Sequence, residues 1–295
     1  MKYNIIGDTH GRTTWKKLVK DNCINIFVGD YFSPYDDISF EDCVKNLSQI
    51  LDYKDKHSET ILLLGNHDNE YLIKERYSRH DYENEDYIKE FILENIDYFQ
   101  IAYSIENKVL VTHAGVTFDW FIANFKPDGL EQRSFHFEDK SNLEEIIKLP
   151  NYVDEKDSDR WYKMMYFCFQ NQSNIDIYDK DKLVTTINTE PDNVAKLINE
   201  NFKENKYNYS FSRWGNFDDY YGTTPSQSPL WIRPQTLSLC NLYKHSKYPQ
   251  VFGHTQCKNI LGFDNLWDVD CLGYSTESLI YDSEKEEFKI NKIEA

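Results

Sequence analysis

The sequence predicts an α/β protein whose core is interrupted by an insertion. Three observations carry that expectation. Short apolar runs alternate with helix-like patterns over the first 117 residues, most of these runs end abruptly in a polar cluster, and strand-like runs return after Pro229. At 295 residues the chain is long enough to bury a sizeable core in one large domain or two ordinary ones.

Taken in order, Lys2–Ile6, Ile24–Val28, Thr60–Leu64 and Val109–Thr112 are short and rich in Ile, Val or Leu. Each is followed at once by Gly, Asp, Asn or His, the pattern of a buried strand ending in a loop. Ser39, with Asp42 placed to return the bond, caps a helix running to about Lys56. Further helices are expected over about Glu70–Tyr77 and Tyr87–Ile96, and strand–helix alternation of this kind argues an α/β core. From Phe118 to Ser228 the texture changes: aromatics, Asn, Asp and Lys dominate. Ser141-Asn142-Leu143-Glu144 forms a capping box, and Pro191 opens a helix to about Phe202. This stretch reads as a largely helical or irregular cap. Gln250–Phe252, Leu266–Val269, Ser278–Tyr281 and Phe288–Ile290 then resume the strand pattern. The expectation is a single domain over 1–295, with core 1–117 and 229–295 and insertion 118–228.

Composition narrows the function. Hydrophobic residues at 40% and aromatics at 16% exclude a disordered chain, despite a mean hydropathy of −0.70. A net charge of −17 disfavours the nucleic-acid backbone as a partner. No apolar run reaches the roughly 18 residues that a membrane span needs. The six cysteines form no CxxC pair and read as reduced, buried thiols, which speaks against a thiolate zinc site. A cytoplasmic protein is expected.

Five clusters carry the chemistry. They are Gly7-Asp8-Thr9-His10-Gly11, Gly29-Asp30, Gly65-Asn66-His67-Asp68, Thr112-His113-Ala114-Gly115 and Gly253-His254-Thr255-Gln256, each directly after an apolar run. Alone, a Gly-Asp is a common turn and a histidine after a strand is a hydrogen-bonded structural residue. Five in order, holding four of the eight histidines, point to a shared site. Parallel strands deliver their C-terminal ends to one sheet edge, and glycine lets the backbone turn sharply there. Carboxylate, amide and imidazole donors suit Mn²⁺, Fe or Zn²⁺. The two oxygens of Asp30 could bridge two ions, an arrangement that clamps displacement at phosphorus and activates water.

Asp8-Thr9-His10, Gly29-Asp30, Gly65-Asn66-His67-Asp68, His113 and Gly253-His254 together resemble the five motifs of the calcineurin-like metallophosphoesterases. The resemblance runs from the start to about residue 120 and from Pro229 to Gly273. It is nearest to the phosphoprotein phosphatase branch, which includes phage lambda-type protein phosphatases and symmetrical diadenosine tetraphosphatases. His254 is followed by Thr255-Gln256 rather than a second histidine. Leu230-Trp231-Ile232-Arg233 is similar to the branch's Leu-Trp-x-Arg element, and Asp268-Val269-Asp270-Cys271-Leu272-Gly273 to its closing Asp-x-Gly region.

The resemblance implies a central β-sandwich flanked by helices and two divalent metal ions, Mn²⁺ first, with Fe, Zn²⁺, Ni²⁺ or Co²⁺ as alternatives. Asp8, His10 and Asp30 would hold one ion; Asp30, Asn66, His113 and His254 the other. His67 would be the general acid, Arg233 would hold phosphate oxygens, and Asn66 would also face substrate. The implied reaction is hydrolysis of phosphate monoesters, from a phosphorylated protein or a small phosphoester, by a metal-bridging hydroxide. A nucleotide hydrolase acting on diadenosine polyphosphates or related anhydrides is the alternative, and a catalytically weak metal-stabilised scaffold is a third.

Two departures stand out. The second motif usually reads Gly-Asp-x-x-Asp-Arg, but here Ser33 and Pro34 occupy the last two places. The Asp that would orient the catalytic histidine is therefore missing, with Asp36 or Asp37 as candidate replacements. Aromatics of the insertion, among them Trp120, Trp161, Tyr162, Tyr166, Phe167, Trp214, Tyr220 and Tyr221, are expected to form core, with stacking on a nucleobase as the alternative.

Overall fold

Two β-sheets face each other across an apolar layer, with helices on their outer faces. The structure is a computed structural model that describes residues 1–125, 134–135, 175–176, 188–204, 211, 224–244 and 246–294. In chain order the elements are β1 (Lys2–Ile6), α1 (Trp15–Leu18), β2 (Ile24–Phe27), α2 (Phe40–Lys56), β3 (Ile61–Leu63), α3 (Asn66–Ile73) and α4 (Glu85–Glu94). Next come β4 (Phe99–Gln100), β5 (Ala102–Ile105), β6 (Val109–Thr112), α5 (Phe118–Phe125), β7 (Ser134–Phe135), β8 (Ile175–Asp176) and α6 (Pro191–Glu204). The chain closes with α7 (Pro234–Cys240), β9 (Gln250–Phe252), β10 (Leu261–Phe263), β11 (Leu266–Asp268), β12 (Glu277–Asp282) and β13 (Glu287–Lys292).

The first sheet runs β13-β12-β1-β2-β3-β4 and the second β10-β11-β9-β6-β5. Within the first, β1 to β4 are mutually parallel; within the second, β6, β9 and β11 are. Strand side chains alternate between faces, and both faces here are buried. Ile5, Ile26, Val28 and Leu63 point between the sheets, where they meet Val109, Val111, Val251 and Val269. Their neighbours Ile6, Phe27, Leu62 and Leu64 point outward and pack with Leu47 and Ile50 of α2 and Ile88 and Ile92 of α4. A strand buried on both sides has no polar face to show, which is why these runs read as continuous apolar stretches.

Ser39 caps α2 as expected, its hydroxyl accepting from the Asp42 amide at 3.1 Å. The helix expected from Glu70 begins four residues earlier, at Asn66, because Asp68 accepts the amide of Gly65 at 2.9 Å and supplies the cap. The strand and helix bounds elsewhere shift by a few residues at most.

Helices α5 and α6, both from the expected insertion, pack on the core. Trp120, Phe121, Val194, Ile198 and Phe202 join the same apolar cluster as Phe27 and Leu62. The Asn199 side chain continues the hydrogen bonding of β5: its Oδ1 accepts the Ile101 and Ala102 amides at 2.9 and 3.1 Å, and its Nδ2 donates to the Ala102 carbonyl at 2.8 Å. Trp120 is thus core rather than a surface for stacking. The capping box at Ser141 and the aromatics Trp161, Tyr162, Tyr166, Phe167, Trp214, Tyr220 and Tyr221 lie outside the described residues. Cys23, Cys43, Cys257 and Cys271 are free and buried, and Cys240 is buried too. Among the described residues no helix is long and apolar enough to cross a membrane.

Leu63 is fully buried between the sheets, three residues before Asn66. Leu63→Ala is expected to cost about 2–5 kcal/mol, read as a fall in the urea midpoint with an unchanged slope.

Candidate metal centre

Strands β1, β2, β3, β6 and β9 end at one edge of the sandwich, and their first loop residues deliver the expected donors. Asp8, His10 and Asp30 offer donor atoms within 4.8 Å of one another, and so do Asp30, His113 and His254. Asp30 belongs to both groups: its Oδ2 lies 3.6 Å from His10 Nε2 and 3.5 Å from His113 Nε2. Asn66 Oδ1 sits 2.9 Å from His113 Nε2 and 2.8 Å from His254 Nδ1. All six residues singled out in the sequence as ligands therefore meet, from both sheets, around one shared carboxylate.

The surroundings hold these atoms in place. His10 Nδ1 donates to the Phe32 carbonyl and His113 Nδ1 to the Val28 carbonyl, both at 2.9 Å. Each bond fixes the tautomer and leaves the Nε2 lone pair facing Asp30. Asp30 Oδ1 accepts the His67 amide at 2.9 Å, so Oδ2 is the oxygen left for the site. Asp68 ties two loops together by accepting the amides of Asp30 and Tyr31, both at 2.8 Å, as well as that of Gly65. Asp8 Oδ2 accepts the His254 amide at 2.9 Å and so joins the ends of β1 and β9. Backbone turns are sharp here. His10, Asp30, Ser33 and His254 have φ of 44°, 52°, 57° and 71°, the left-handed region that side chains with a Cβ seldom enter. Gly65 is required by close approach, since a Cβ there would sit 2.0 Å from Asp30 Oδ1.

The donor set asks for a cation. Asp8, Asp30, Asp268 and Asp270 are all buried, and Asp8 Oδ1 has no hydrogen-bond donor among the described residues. Burial, with the neighbouring carboxylates, pushes the Asp8 and Asp30 pKa values well above the usual carboxylate range. Burial likewise lowers the three imidazoles, His113 to about 3 and His10 and His254 well below their ordinary value. Neutral imidazoles around the buried carboxylates of Asp8 and Asp30 are the state that divalent cations complete, so these residues fit the metals the sequence led us to expect.

Residues 1–165 match the family model for calcineurin-like phosphoesterases. The chain belongs to that family. It is accordingly a phosphoesterase, a hydrolase, from a family that uses divalent metals. Among solved structures, it is similar to a protein serine/threonine phosphatase from Saccharomyces cerevisiae, described as having similarity to human phosphatase PP5. The identity is 13%, the alignment covers 100% of this chain and 80% of that one, and the TM-score is 0.46. No curated protein sequence matches the chain.

In this calcineurin-like phosphoesterase the remaining expected residues also border the centre. His67 is buried at the start of α3, its ring centroid 5.7 Å from that of His10. Arg233 is half-buried at the N-cap of α7, where Nη1 donates to the His254 carbonyl at 3.2 Å and to Thr255 Oγ1 at 3.0 Å. Neither candidate replacement, Asp36 or Asp37, is what His67 finds. Asp36 pairs with Arg12 at 2.6 Å, Asp37 is exposed, and the carboxylate on His67 Nδ1 is Glu70, at 3.1 Å. Sequence reasoning missed Glu70 because it started the helix too late. With α3 beginning at Asn66, Glu70 stands one turn after His67, at the i,i+3 spacing where helix side chains meet. The signal was the acidic residue at the third helical position, Asp68, which marks the true start.

Gly65→Ala would force Asp30 Oδ1 aside. Mn²⁺ affinity measured by equilibrium dialysis is expected to fall by about 10- to 100-fold, the range typical of lost outer support, while Leu63→Ala shifts stability first.

Proposed function

We propose that the chain is a dinuclear metal-dependent phosphatase of the serine/threonine protein phosphatase type. One ion would be held by Asp8, His10 and Asp30, and the other by Asp30, Asn66, His113 and His254, with Mn²⁺ the first choice among divalent metals. The observation that supports this most is the placement of Asp30 Oδ2 between His10 and His113, at 3.6 and 3.5 Å. Bound divalent ions supply positive charge beside the reacting phosphate and a nucleophile at neutral pH.

The chain's own residues supply the rest. His67 gives its proton to the leaving oxygen as the ester bond breaks. Arg233, held beside His254 and backed by the Trp231 ring at 5.6 Å, offers a planar donor fork to two phosphate oxygens. Burial lowers the Arg233 pKa, and Tyr35, Asp270 and Asp268 oppose that shift. We read 118–228 as an insertion within one domain over 1–295, with the feet α5 and α6 packed on the core. The free, buried thiols favour a cytoplasmic setting.

Mn²⁺ added to metal-stripped protein is expected to switch on p-nitrophenyl phosphate hydrolysis. His67→Ala should lower turnover of a phosphoserine peptide by about 10²-fold or more while the bound Mn²⁺ stays unchanged. Absence of turnover with Mn²⁺, Ni²⁺, Co²⁺ and Zn²⁺ alike would favour the scaffold reading. Saturation kinetics on the peptide against diadenosine tetraphosphate separate a protein phosphatase from a nucleotide hydrolase.

A further inference from the structure

We infer that Glu70, clamped by His80, is the positioning residue for His67, so that the orienting carboxylate has moved from the second-motif loop to helix α3. The inference rests on the reading of His67 as the proton donor.

Glu70 has no solvent exposure, and each of its oxygens is accounted for. Oε1 accepts from His67 Nδ1 at 3.1 Å and lies 3.4 Å from the Ser33 hydroxyl. Oε2 accepts the Tyr77 amide at 2.7 Å and His80 Nδ1 at 2.9 Å. A buried carboxylate surrounded by donors is held ionised and in one orientation. Opposite it, His67 Nδ1–H donates to Glu70, and in the imidazolium form the ring also carries on Nε2 the proton that it gives to the leaving oxygen. Ser33 occupies the place from which the second motif would ordinarily send a carboxylate, and here its hydroxyl points to the carboxylate that replaces it.

The clamp is built into the chain path. Lys74 ends α3 in the left-handed conformation, at φ 58°, and turns the chain back so that Tyr77 and His80 reach Glu70. His80 is buried, stacked on Tyr71 with ring centroids 4.7 Å apart, and its Nε2 lies 3.4 Å from Glu85 of α4. Glu85 also accepts from Arg76 at 3.0 Å. Among the described residues, Glu70, Glu85, Tyr71 and Tyr82 face His80. His80 steadies the outer oxygen of Glu70, and Glu70 steadies His67.

A residue that aims a proton donor matters in proportion to how badly the leaving group needs the proton. The test uses the full chain loaded with Mn²⁺ and two substrates, phenyl phosphate and 2,4-dinitrophenyl phosphate. Glu70→Gln is expected to lower kcat for phenyl phosphate by about tenfold or more, to change the dinitrophenyl ester by less than about threefold, and to leave KM and Mn²⁺ content unchanged. His67→Ala/Glu70→Gln should be no slower than His67→Ala. His80→Phe keeps the stack on Tyr71 and removes the donor to Glu70. It should give the same leaving-group pattern at about threefold, and it decides the matter if Glu70→Gln does not fold. Equal slowing of both esters, no slowing, or additive losses in the double variant would overturn the role of Glu70. If His67→Ala itself shows no leaving-group dependence, the reading of His67 fails first, and that result is distinct from a flat Glu70→Gln beside a graded His67→Ala.

Discussion

The Asp30 carboxylate is the constraint on which the rest of the centre depends. One oxygen is spent on the His67 amide, which fixes the other between His10 and His113. Those two histidines come from different sheets, so the shared oxygen also registers one half of the sandwich against the other. Asp68 secures the arrangement from behind by accepting the Asp30 amide, and Gly65 secures it by omission of a side chain. Core packing, loop stapling and site geometry are thus not separate matters. A shift of the β2 or β3 end moves the donors directly, and the fully buried Ile26, Val28 and Leu63 resist that shift.

Much of this was legible in the sequence, because the physical causes are local. Strands buried on both faces leave continuous apolar runs, and polar loops follow them at once, so β1, β2, β3, β6 and β9 and the six candidate donors could be read together. The Ser39 cap of α2 is a side-chain to backbone bond within four residues and was equally plain. What stayed hidden depends on contacts distant in the chain. Strands β4 (Phe99–Gln100), β5 (Ala102–Ile105) and β10 (Leu261–Phe263) carry no continuous run of Ile, Val and Leu and become strands only through their neighbours. Residues 118–125 and 191–204 read as a cap, but Trp120 and Ile198 are drawn into the main core by apolar burial that no local pattern records. Glu70 was concealed by a helix start placed four residues late, which broke the i,i+3 relation to His67.

The electrostatics explain why an acidic protein can still host a phosphate. The net charge of −17 belongs to the whole chain, and it includes four carboxylates buried at the centre. Unaccompanied, these would be costly to ionise in a medium that solvates them poorly. Divalent cations of the kind this family uses would offset that charge, and Arg233 adds a cation at the edge of the centre. The imidazoles, held neutral by burial, add donors without adding charge.

The left-handed turns at His10, Asp30 and His254 have a wider consequence. Aspartate, asparagine and histidine are the side-chain-bearing residues most often found in that backbone region. They are also the residues whose oxygen and nitrogen atoms suit hard and borderline cations. Tight curvature and coordinating chemistry therefore draw on one small alphabet. A lineage exploring new sequences at these corners has few letters to choose from, since glycine would keep the bend and forfeit the donor, while bulkier residues would lose both.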